Sequence, residues 1–327
     1  MSDKEIINIS ALVVCTLNRP TFLARLLHQI ETQSFIPALV VVVDSSLNDE
    51  SEQLVSQISA SFPTCLVYIK SLSGLPHQRN VGIRYTLASE KHAMIQILSF
   101  LDDDVIIPNN YFRKVVDIFS EVPEAICVGG YVPKSSITNN ASFARRSLQL
   151  GSLNSGVVLK SGIAIPCNPS SRISICDWVP GGMQNISKIV FKHELFDGRV
   201  RMYGEDLEFQ LRIRKYGLIL CSIDLPILHL EASISKEDLR SAYAYTDGFR
   251  WTLAIRCVGG VQKSAVLFST FALTIGELIL WILHRNDSNK LSFLGHVDFI
   301  KRLILKRQVQ QLVDHVGSGP LAENQSN

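Results

Sequence analysis

The sequence lacks the cysteine patterns that indicate a disulfide framework or a structural zinc site. It contains seven cysteines, an odd number, and no two of them have C-x-x-C spacing. Cys15, Cys65 and Cys127 lie within apolar runs, where a reduced thiol packs as a small hydrophobic side chain. We therefore expect a protein of a reducing cytosol.

The sequence also lacks an excess of charge of one sign. Its 32 Lys and Arg residues against 30 Asp and Glu residues give a formal net charge of +2. This balance argues against a dedicated nucleic-acid binder, which is usually strongly basic. The first ten residues, MSDKEIINIS, are polar and acidic, so no secretory signal is expected there.

Three glycine-containing motifs are missing as well. There is no G-x-x-x-x-G-K-[ST] loop, no G-x-G-x-x-G after the first apolar run, and no G-x-S-x-G elbow. These absences count against a P-loop NTPase, a dinucleotide-dependent oxidoreductase and an α/β-hydrolase. A nucleotide bound by this chain would be held through a metal ion instead of a glycine loop.

What the first 130 residues do contain is a regular alternation of apolar runs and helical patterns. Helices are predicted at about 20–32 and 48–60, and another opens near Pro76. The apolar, β-branched runs between them are IINISALVVC, ALVVVVD, CLVYIK and AMIQILSFL. Short strands separated by helices of this length predict βαβ units and a mostly parallel central sheet flanked by helices, an α/β fold.

The rest of the chain is less regular. Residues 131–176 are rich in Ser, Asn and Gly and predict irregular loops, such as a lid or an acceptor-binding insertion. A second organised block runs from DWVPGGMQN to LHLEAS and includes a predicted helix at 205–216.

Residues 264–283, SAVLFSTFALTIGELILWIL, are the most apolar segment, nearly long enough to span a bilayer. On a helical wheel Ser269, Thr270, Thr274, Gly276 and Glu277 share one side, opposite a broad apolar face. The surrounding basic residues are Arg250, Arg256, Lys263, Arg285, Lys290, Lys301, Arg302, Lys306 and Arg307. A helix in the membrane interface fits this pattern better than a span. A helix packed against the rest of the protein is an equal alternative.

Polar side chains follow three of the four predicted strands. Ligands of open parallel sheets bind beyond the carboxyl ends of the strands. Thr16, Asn18 and Arg19 follow the first strand, and Asp44 ends the second. The Asp44 carboxylate suits ribose hydroxyls or a base edge, although a cap on the turn DSSLND explains it equally well.

The aspartates at 102, 103 and 104 end the fourth strand. Asp102 and Asp104 project to the same side if the strand geometry continues through them. Two carboxylates at a strand end suit Mg²⁺ or Mn²⁺, which bind a few carboxylates together with substrate phosphates. The alternative is a solvated acidic turn that favours the N-terminus of a helix near Pro108.

Six segments, in order, resemble family 2 glycosyltransferases over about residues 8–230. They are ALVVCTLNRPTFLARLLHQIETQ, VVVVDSS, GLPHQRNVGI, FLDDDVIIP, WVPGGMQ and YGEDLEFQLRIRKYG. The resemblance implies a GT-A fold and a nucleotide-sugar donor. The implied nucleotide-sugar contacts are Thr16, Asn18, Arg19, Asp44, Arg79, Asn80, Asp102 and Asp103.

The resemblance also assigns the later motifs. Asp104, with Asp102, would ligate the metal, and His229 would complete the metal site or touch the diphosphate. Asp206 would be the base that takes the proton of the acceptor hydroxyl, with Glu205 assisting. The implied acceptor-side residues are Trp178, Gly181 and Gly182, although MQNISKIVF departs from the usual pattern after them.

Each late motif also has a simpler explanation. Acidic residues such as Glu205 and Asp206 are favoured at any helix N-terminus, and Glu208 and Arg212 have the spacing of an ordinary i,i+4 pair. A lone histidine such as His229 is more often structural than a ligand.

We therefore expect a GT-A catalytic domain at 1–234, with a donor half at about 1–130 and an acceptor half at about 131–234. A helical region at 235–327 would contact the membrane. The expected activity is inverting, Mg²⁺- or Mn²⁺-dependent glycosyl transfer to a glycan or lipid-linked acceptor in bacterial surface polysaccharide biosynthesis. The enzyme would be cytoplasmic, peripheral at the inner face of the cell membrane, and would bind no nucleic acid. The alternatives are a metal-dependent nucleotidyltransferase and a non-catalytic membrane-associated protein.

Overall fold

The computed structural model describes residues 9–131, 142–200, 204–230 and 236–304. Its strands are β1 (Ser10–Thr16), β2 (Leu39–Asp44), β3 (Cys65–Lys70), β4 (Ile97–Asp102), β5 (Val105–Ile106), β6 (Ala125–Tyr131), β7 (Ile173–Cys176), β8 (Met183–Ser187), β9 (Leu218–Pro226) and β10 (Leu228–His229). Its helices are α1 (Pro20–Glu31), α2 (Glu50–Ser59), α3 (Leu75–Ala88), α4 (Tyr111–Glu121), α5 (Phe143–Ser147), α6 (Glu205–Ile213), α7 (Lys236–Ile255), α8 (Lys263–His284) and α9 (Asp287–Ile304).

The predicted alternation of strands and helices in the first 130 residues is confirmed. α1 begins at Pro20, where the fixed φ of proline suits the first turn and its missing N–H costs no helical hydrogen bond. It buries Leu23, Leu26, Leu27 and Ile30, which recur at helical spacing. The helix predicted at 205–216 is also present, as α6 followed by a 3₁₀ turn, Arg214–Tyr216.

One large sheet organises these elements, in the strand order β3-β2-β1-β4-β8-β6-β9-β7. β3, β2, β1 and β4 are mutually parallel, and β6 runs parallel to β9. β8 is antiparallel to both of its neighbours, β4 and β6, and β7 is antiparallel to β9. The sheet is therefore mostly parallel, as predicted, with an antiparallel strand inserted beside β4.

Both faces of the sheet are buried, because alternate residues of each strand point to opposite sides. Leu12 and Val14 of β1 pack in a hydrophobic cluster that includes residues of α1, α2 and α4. Ala11 and Val13 pack in the opposite cluster, which includes residues of α3 and α6. Parallel strands covered on both faces account for the nearly continuous apolar runs in the sequence.

The prediction of irregular structure across 131–176 was wrong at its C-terminal end. Ile173–Cys176 form β7, which pairs with β9 at the sheet edge. Ile175 is 68% exposed, and an edge strand with an exposed face gives only a weak apolar signal in the sequence. A short helix, α5, also lies in the segment 131–176. Residues 132–141 of this segment are outside the described part of the chain.

The described residues divide into two compact units. The first comprises residues 9–131, 166–197 and 205–230 and contains the whole sheet. The second comprises residues 142–165, 198–200, 204 and 236–304 and contains α5, α7, α8 and α9. Each unit has buried side chains of its own.

In the second unit α7, α8 and α9 pack around a buried polar network. Arg250 of α7 donates to Asp247 Oδ1 at 2.9 Å and to Ser269 of α8, and Asp247 also bonds His296 of α9. All four residues are at most 5% exposed. Satisfied buried polar groups of this kind fix how helices pack, because an unpaired buried charge is costly.

α8 is a helix of 22 residues that by length and composition could cross a membrane. Ser269 and Thr270 on its polar side are fully buried, and Glu277 accepts a hydrogen bond from Asn289 of α9 at 2.5 Å. Its exposed apolar side chains on the other side are Phe268, Phe271, Ile275, Ile279 and Ile282, and Leu280 and Leu283 are also exposed near its C-terminal end. The polar stripe therefore faces the unit interior and the apolar stripe faces outward. Lys306 and Arg307, which the sequence placed near this segment, lie outside the described residues.

Candidate active site

Strand pairing brings the polar strand ends together at one edge of the sheet. Thr16 at the end of β1 is paired with Asp44 at the end of β2. Cys15 of β1 is paired with Asp102 at the end of β4. The carboxyl edge of the sheet therefore collects side chains that are far apart in the sequence, as expected for an open parallel sheet.

Asp44 is fully buried and holds the loop that follows β2. Its Oδ1 accepts the backbone N–H of Ser46 at 2.8 Å, and its Oδ2 accepts the Tyr68 hydroxyl at 2.9 Å. Ser46 Oγ in turn accepts the backbone N–H of Asn18 at 2.7 Å. The loops after β1 and β2 are thus tied together, with Asn18 in the left-handed region at φ 54°.

Asp103 and Arg19 form an ion pair beside Thr16. Asp103 is 4% exposed, and its Oδ2 accepts the Thr16 hydroxyl at 2.6 Å. Arg19 Nη1 lies 3.3 Å from Asp103 Oδ1 and 3.2 Å from Asp104 Oδ2, so one guanidinium group serves two carboxylates. Burial raises the pKa of Asp103 to about 6, against the opposing effects of the Thr16 hydroxyl and the Arg19 charge.

Asp102, Asp104 and His229 form a cluster suited to a metal ion. β4 ends at Asp102, and a tight turn leads through Asp104 to β5. β5 pairs with β10, with His229 opposite Val105, and the Leu230 N–H donates to the Asp104 carbonyl at 2.9 Å. One ligand atom from each of the three side chains lies within 4.8 Å of the others.

The chemistry of this cluster fits a divalent cation. Asp104 Oδ1 is buried and accepts no hydrogen bond from the described residues, yet it lies 3.2 Å from His229 Nε2. Two ligand atoms that face the same cation are expected to lie this close. Asp102 Oδ2 lies 3.6 Å from His229 Nε2, and the Asp102 side chain is 34% exposed, which leaves an open side for a ligand. Burial would raise the pKa of Asp102, but the hydrogen bond to His229 and the Arg79 charge lower it overall.

The dipeptide Gly181–Gly182 lies between this cluster and the acidic residues at the start of α6. The Gly182 carbonyl accepts the Asp102 N–H at 3.1 Å, and the Gly181 N–H donates to Asp206 Oδ2 at 2.8 Å. A Cβ on Gly182 would collide with the Asp102 carboxylate, and one on Gly181 would lie 2.8 Å from Asp206 Cβ. Asp102 and Asp206 therefore flank the same two glycines, and the acids that are far apart in sequence do share one site.

Glu205 and Asp206 begin α6, as the sequence predicts for acidic residues at a helix N-terminus. Asp206 Oδ1 accepts the Leu207 N–H at 2.7 Å, while Glu205 Oε1 accepts Arg79 Nη1 at 2.9 Å. Burial raises the pKa of both carboxyls, and the neighbouring Asp206 helps to raise that of Glu205 to about 7. The Glu208–Arg212 pair is also present, at 2.7 Å.

The two predicted nucleoside contacts on α3 point into the protein. Arg79 is 2% exposed and pairs with Glu205, and Asn80 is 6% exposed. Asn80 Nδ2 donates to the Phe196 carbonyl at 2.8 Å, and Asn80 Oδ1 accepts the Phe196 N–H at 3.0 Å. A contact of either residue with a nucleoside stays a prediction.

The Trp178 loop is held by a residue that the sequence did not reveal. Gln210 of α6 accepts the Val179 N–H at 2.7 Å and donates to the Val179 carbonyl at the same distance. Trp178 is half-buried, and its Nε1 is enclosed without a hydrogen-bond partner among the described residues. Nothing in the local pattern around Gln210 separates it from an ordinary helical glutamine.

Comparison with known proteins supports a common fold. The family model described as Glycosyl transferase family 2 matches residues 11–170. The mannosyltransferase PcManGT from Pyrobaculum calidifontis, solved with GDP-Man and Mn²⁺, is 14% identical, with 92% of this chain and 88% of that chain covered and a TM-score of 0.56. S. aureus TarS 1-349, solved with UDP-GlcNAc, is 15% identical, with 94% and 83% covered and a TM-score of 0.51. These structural likenesses show the GT-A fold. A search of the curated proteins found no match.

Proposed function

We propose that the chain is a glycosyltransferase of family 2, because that family model matches residues 11–170 and the fold is GT-A. It would transfer a sugar, with inversion, from a nucleoside-diphosphate sugar to a hydroxyl of a glycan or lipid-linked acceptor. One observation carries the proposal. The metal-binding group of Asp102, Asp104 and His229 lies beside the Glu205–Asp206 pair, with Gly181–Gly182 between them. The cation that would hold a diphosphate and the carboxylate that would act as the base would thus adjoin each other.

On the donor side, the loops after β1 and β2 would receive the nucleoside. Asn18 is exposed and the Arg19 side chain is 40% exposed, so both can reach a ligand. Thr16 and Asp44 are buried and support these loops through Asp103 and Ser46. Arg79 and Asn80, the other two predicted contacts, are buried and hydrogen-bonded within the protein.

Asp102, Asp104 and His229 would hold a divalent cation, which neutralises the charge that develops on a departing nucleoside diphosphate. Mg²⁺ strongly prefers oxygen ligands, whereas an imidazole is acceptable to softer first-row cations. The set of two carboxylates and one imidazole therefore favours Mn²⁺ over Mg²⁺. PcManGT was solved with Mn²⁺, and its fold is the same.

Asp206 is the proposed base. It would take the proton of the acceptor hydroxyl as that oxygen attacks the anomeric carbon from the face opposite the leaving group, so the configuration inverts. Its two oxygens each accept one backbone N–H, from Leu207 and Gly181, and each keeps a second lone pair. Burial raises its pKa, which makes the carboxylate a stronger base than an exposed aspartate.

The acceptor would approach from the side of Trp178, Gly181 and Gly182. In this division a donor half at about 1–130 and an acceptor half at about 131–234 would form a catalytic domain at 1–234, with His229 of the second half contributing to the cation site. Gln210 fixes the loop that carries Trp178, so the acceptor surface is supported by the same helix that carries Asp206.

A lipid-linked acceptor would require the enzyme to work at a membrane surface. The outward apolar stripe of α8 suits the interface of a bilayer, with its buried polar side satisfied inside the unit. Lys263 at one end of α8 and Arg285 and Lys290 beyond the other are exposed, which suits anionic lipid. We assign the region 235–327 to this contact, at the cytoplasmic face, with surface polysaccharide assembly as the cellular role.

The Asp206→Asn variant tests the proposal. Wild-type protein with Mn²⁺ should transfer or hydrolyse a sugar from a panel of UDP-glucose, UDP-GlcNAc and GDP-mannose. The variant should keep its affinity for the donor, measured by calorimetry, while kcat falls by roughly 10²–10⁴-fold, the usual contribution of a positioned base.

Asp117→Asn is the matched control, because Asp117 pairs with Arg113 on the surface of α4. It should leave kcat unchanged. Undiminished turnover by Asp206→Asn would rule out the proposed base, and release of pyrophosphate from a nucleoside triphosphate would identify a nucleotidyltransferase instead.

A further inference from the structure

Arg79 is a buried cation surrounded by acids. Its side chain is 3% exposed, Nη1 donates to Glu205 Oε1 at 2.9 Å, and Nη2 lies 3.9 Å from Asp102 Oδ1. The charged and titratable groups around it are Glu205, Asp102, Asp206 and Cys15. A buried guanidinium keeps its charge and presents donors in a rigid fork, so it can bridge carboxylates that come from different elements.

Arg79 also supports the loop that binds Asp206. A Cβ on Gly181 would lie 2.9 Å from Arg79 Nη2 and 2.8 Å from Asp206 Cβ. The Gly181 backbone is therefore packed between the guanidinium and the Asp206 side chain, with its N–H donating to Asp206 Oδ2. A shift of the guanidinium would move this backbone, and with it the hydrogen bond that orients Asp206.

The Arg79 guanidinium also contacts the aromatic ring of Phe196. Its central carbon lies 5.3 Å from the centroid of the Phe196 ring, at cation–π distance. Phe196 is fixed by the paired hydrogen bonds from Asn80, the residue next to Arg79 on α3. The fold therefore provides a continuous line of contacts from Asn80 through Phe196 and Arg79 to Glu205 and Gly181.

We propose that Arg79 is a positioning residue for the transfer reaction, which holds Glu205 and the Gly181 backbone so that Asp206 faces the acceptor hydroxyl. The inference rests on the proposed function, in which Asp206 is the base. In this proposal Arg79 and Asn80, the R and N of GLPHQRNVGI, support the base and do not contact the nucleoside. Asn80 belongs to the same support, through Phe196.

Arg79→Gln, measured on the full chain with Mn²⁺ and the best donor of the panel, tests this role. We expect kcat to fall by at least about tenfold, since a small misplacement of a reacting group costs up to about 10²-fold. The affinity for UDP, measured by calorimetry, should change less than about threefold, well under the expected fall in kcat. The ascending limb of the kcat–pH profile should move to higher pH, because a lost positive charge raises the pKa of a neighbouring carboxyl.

A double variant shows whether Arg79 affects the reaction through Glu205 or independently of it. Here Arg79→Gln is introduced into the Glu205→Gln variant. If Arg79 acts through Glu205, adding Arg79→Gln to Glu205→Gln should cost much less in kcat than the same change in the wild type. Arg84→Gln, an exposed arginine on the same helix, is the matched control and should match the wild type in every measurement.

Thermal unfolding shows whether Arg79→Gln is folded. If it is not, Arg79→Lys replaces it: one ammonium cannot serve Glu205 and Asp102 together, so kcat should fall while the pH profile stays in place.

Other results would overturn the inference. Loss of UDP affinity in proportion to kcat/KM would make Arg79 a donor contact, and activity equal to that of Arg84→Gln would show that its contacts do not matter for transfer. A wild-type protein that transfers no sugar would refute the proposed function itself, which is a different result from an active wild type with unaffected Arg79 variants.

Discussion

The three consecutive aspartates differ in what their carboxylates already bind. Asp103 is engaged by Thr16 and Arg19 and is 4% exposed, so it supports the site from within. Asp104 has one oxygen near Arg19 and a second that accepts no hydrogen bond from the described residues. Asp102 alone has a side chain that is one-third exposed. Neighbours in the sequence thus have separate roles because the turn after β4 points each one at different partners.

Replacing His229 tests whether this single residue contributes to Mn²⁺ binding. We expect His229→Ala to weaken Mn²⁺ binding by at least about tenfold, because the cluster would lose one of its three proposed ligands. Calorimetric titration of Mn²⁺ into the protein with UDP present measures the change. His193→Ala is the control, since His193 is an exposed histidine that stacks on Tyr216. Equal Mn²⁺ affinity in both variants would mean that His229 is structural.

At the scale of elements, two short segments assemble the site. β10 pairs with β5 over two residues and thereby places His229 beside the aspartates. The Gly181–Gly182 loop lies between Asp102 and Asp206, where a side chain would collide on either residue. Close approach of backbone to functional side chains is a specific use of glycine, and here it requires two in succession.

Replacing Gly181 and Gly182 one at a time with alanine should change Mn²⁺ affinity and kcat differently. In Gly182→Ala the new methyl group displaces the Asp102 carboxylate, so we expect Mn²⁺ affinity and kcat to fall together. In Gly181→Ala it displaces Asp206 and Arg79, so kcat should fall by roughly 10²-fold while Mn²⁺ affinity stays within about threefold of wild type. Gly276→Ala on α8 is the control, because a Cβ there meets no atom within 4 Å. The same loss of Mn²⁺ affinity in both variants would contradict this division of roles.

At the scale of the whole molecule, the chain combines a sheet-based unit with a unit of helices. The first follows the ordinary rule that apolar side chains face a common core. In α8 of the second unit the arrangement is reversed, with Ser269 and Thr270 buried and Phe271, Ile275 and Ile279 about half-exposed. An apolar stripe of this length is unusual on a protein surface that meets only water, and such stripes usually mark an interaction site.

Vesicle binding tests whether the stripe meets lipid. We expect the protein to sediment with vesicles that contain phosphatidylglycerol and less with pure phosphatidylcholine. Ile279→Glu should weaken this binding by about tenfold or more, since one buried isoleucine contributes roughly 1.5–3 kcal/mol. Ile175→Glu is the control, because Ile175 is an exposed isoleucine on β7, outside α8. Equal binding by both variants, or self-association of the wild type that Ile279→Glu abolishes, would exclude the membrane role of α8.

The local sequence determined the elements of the first 130 residues and the site residues that end strands. Apolar periodicity reflects burial directly, so it predicted β1 to β4 and the helices between them, and parallel strands necessarily bring Thr16, Asp44 and Asp102 to one edge. It failed at β7, because an edge strand with an exposed side chain such as Ile175 carries little periodic signal.

Tertiary structure decided which of these residues meet and which way they face. The β5–β10 pairing brings His229 to the aspartates across more than 120 residues of sequence, and no local pattern encodes that contact. Arg79 and Asn80 stand in a motif that predicts a ligand contact, and packing places them against Glu205 and Phe196. The helical wheel of α8 separated its polar and apolar sides, but the buried network with Arg250 decided that the polar side faces inward. A sequence specifies the chemistry and the local geometry of its residues, whereas contacts between distant segments depend on how the whole chain packs.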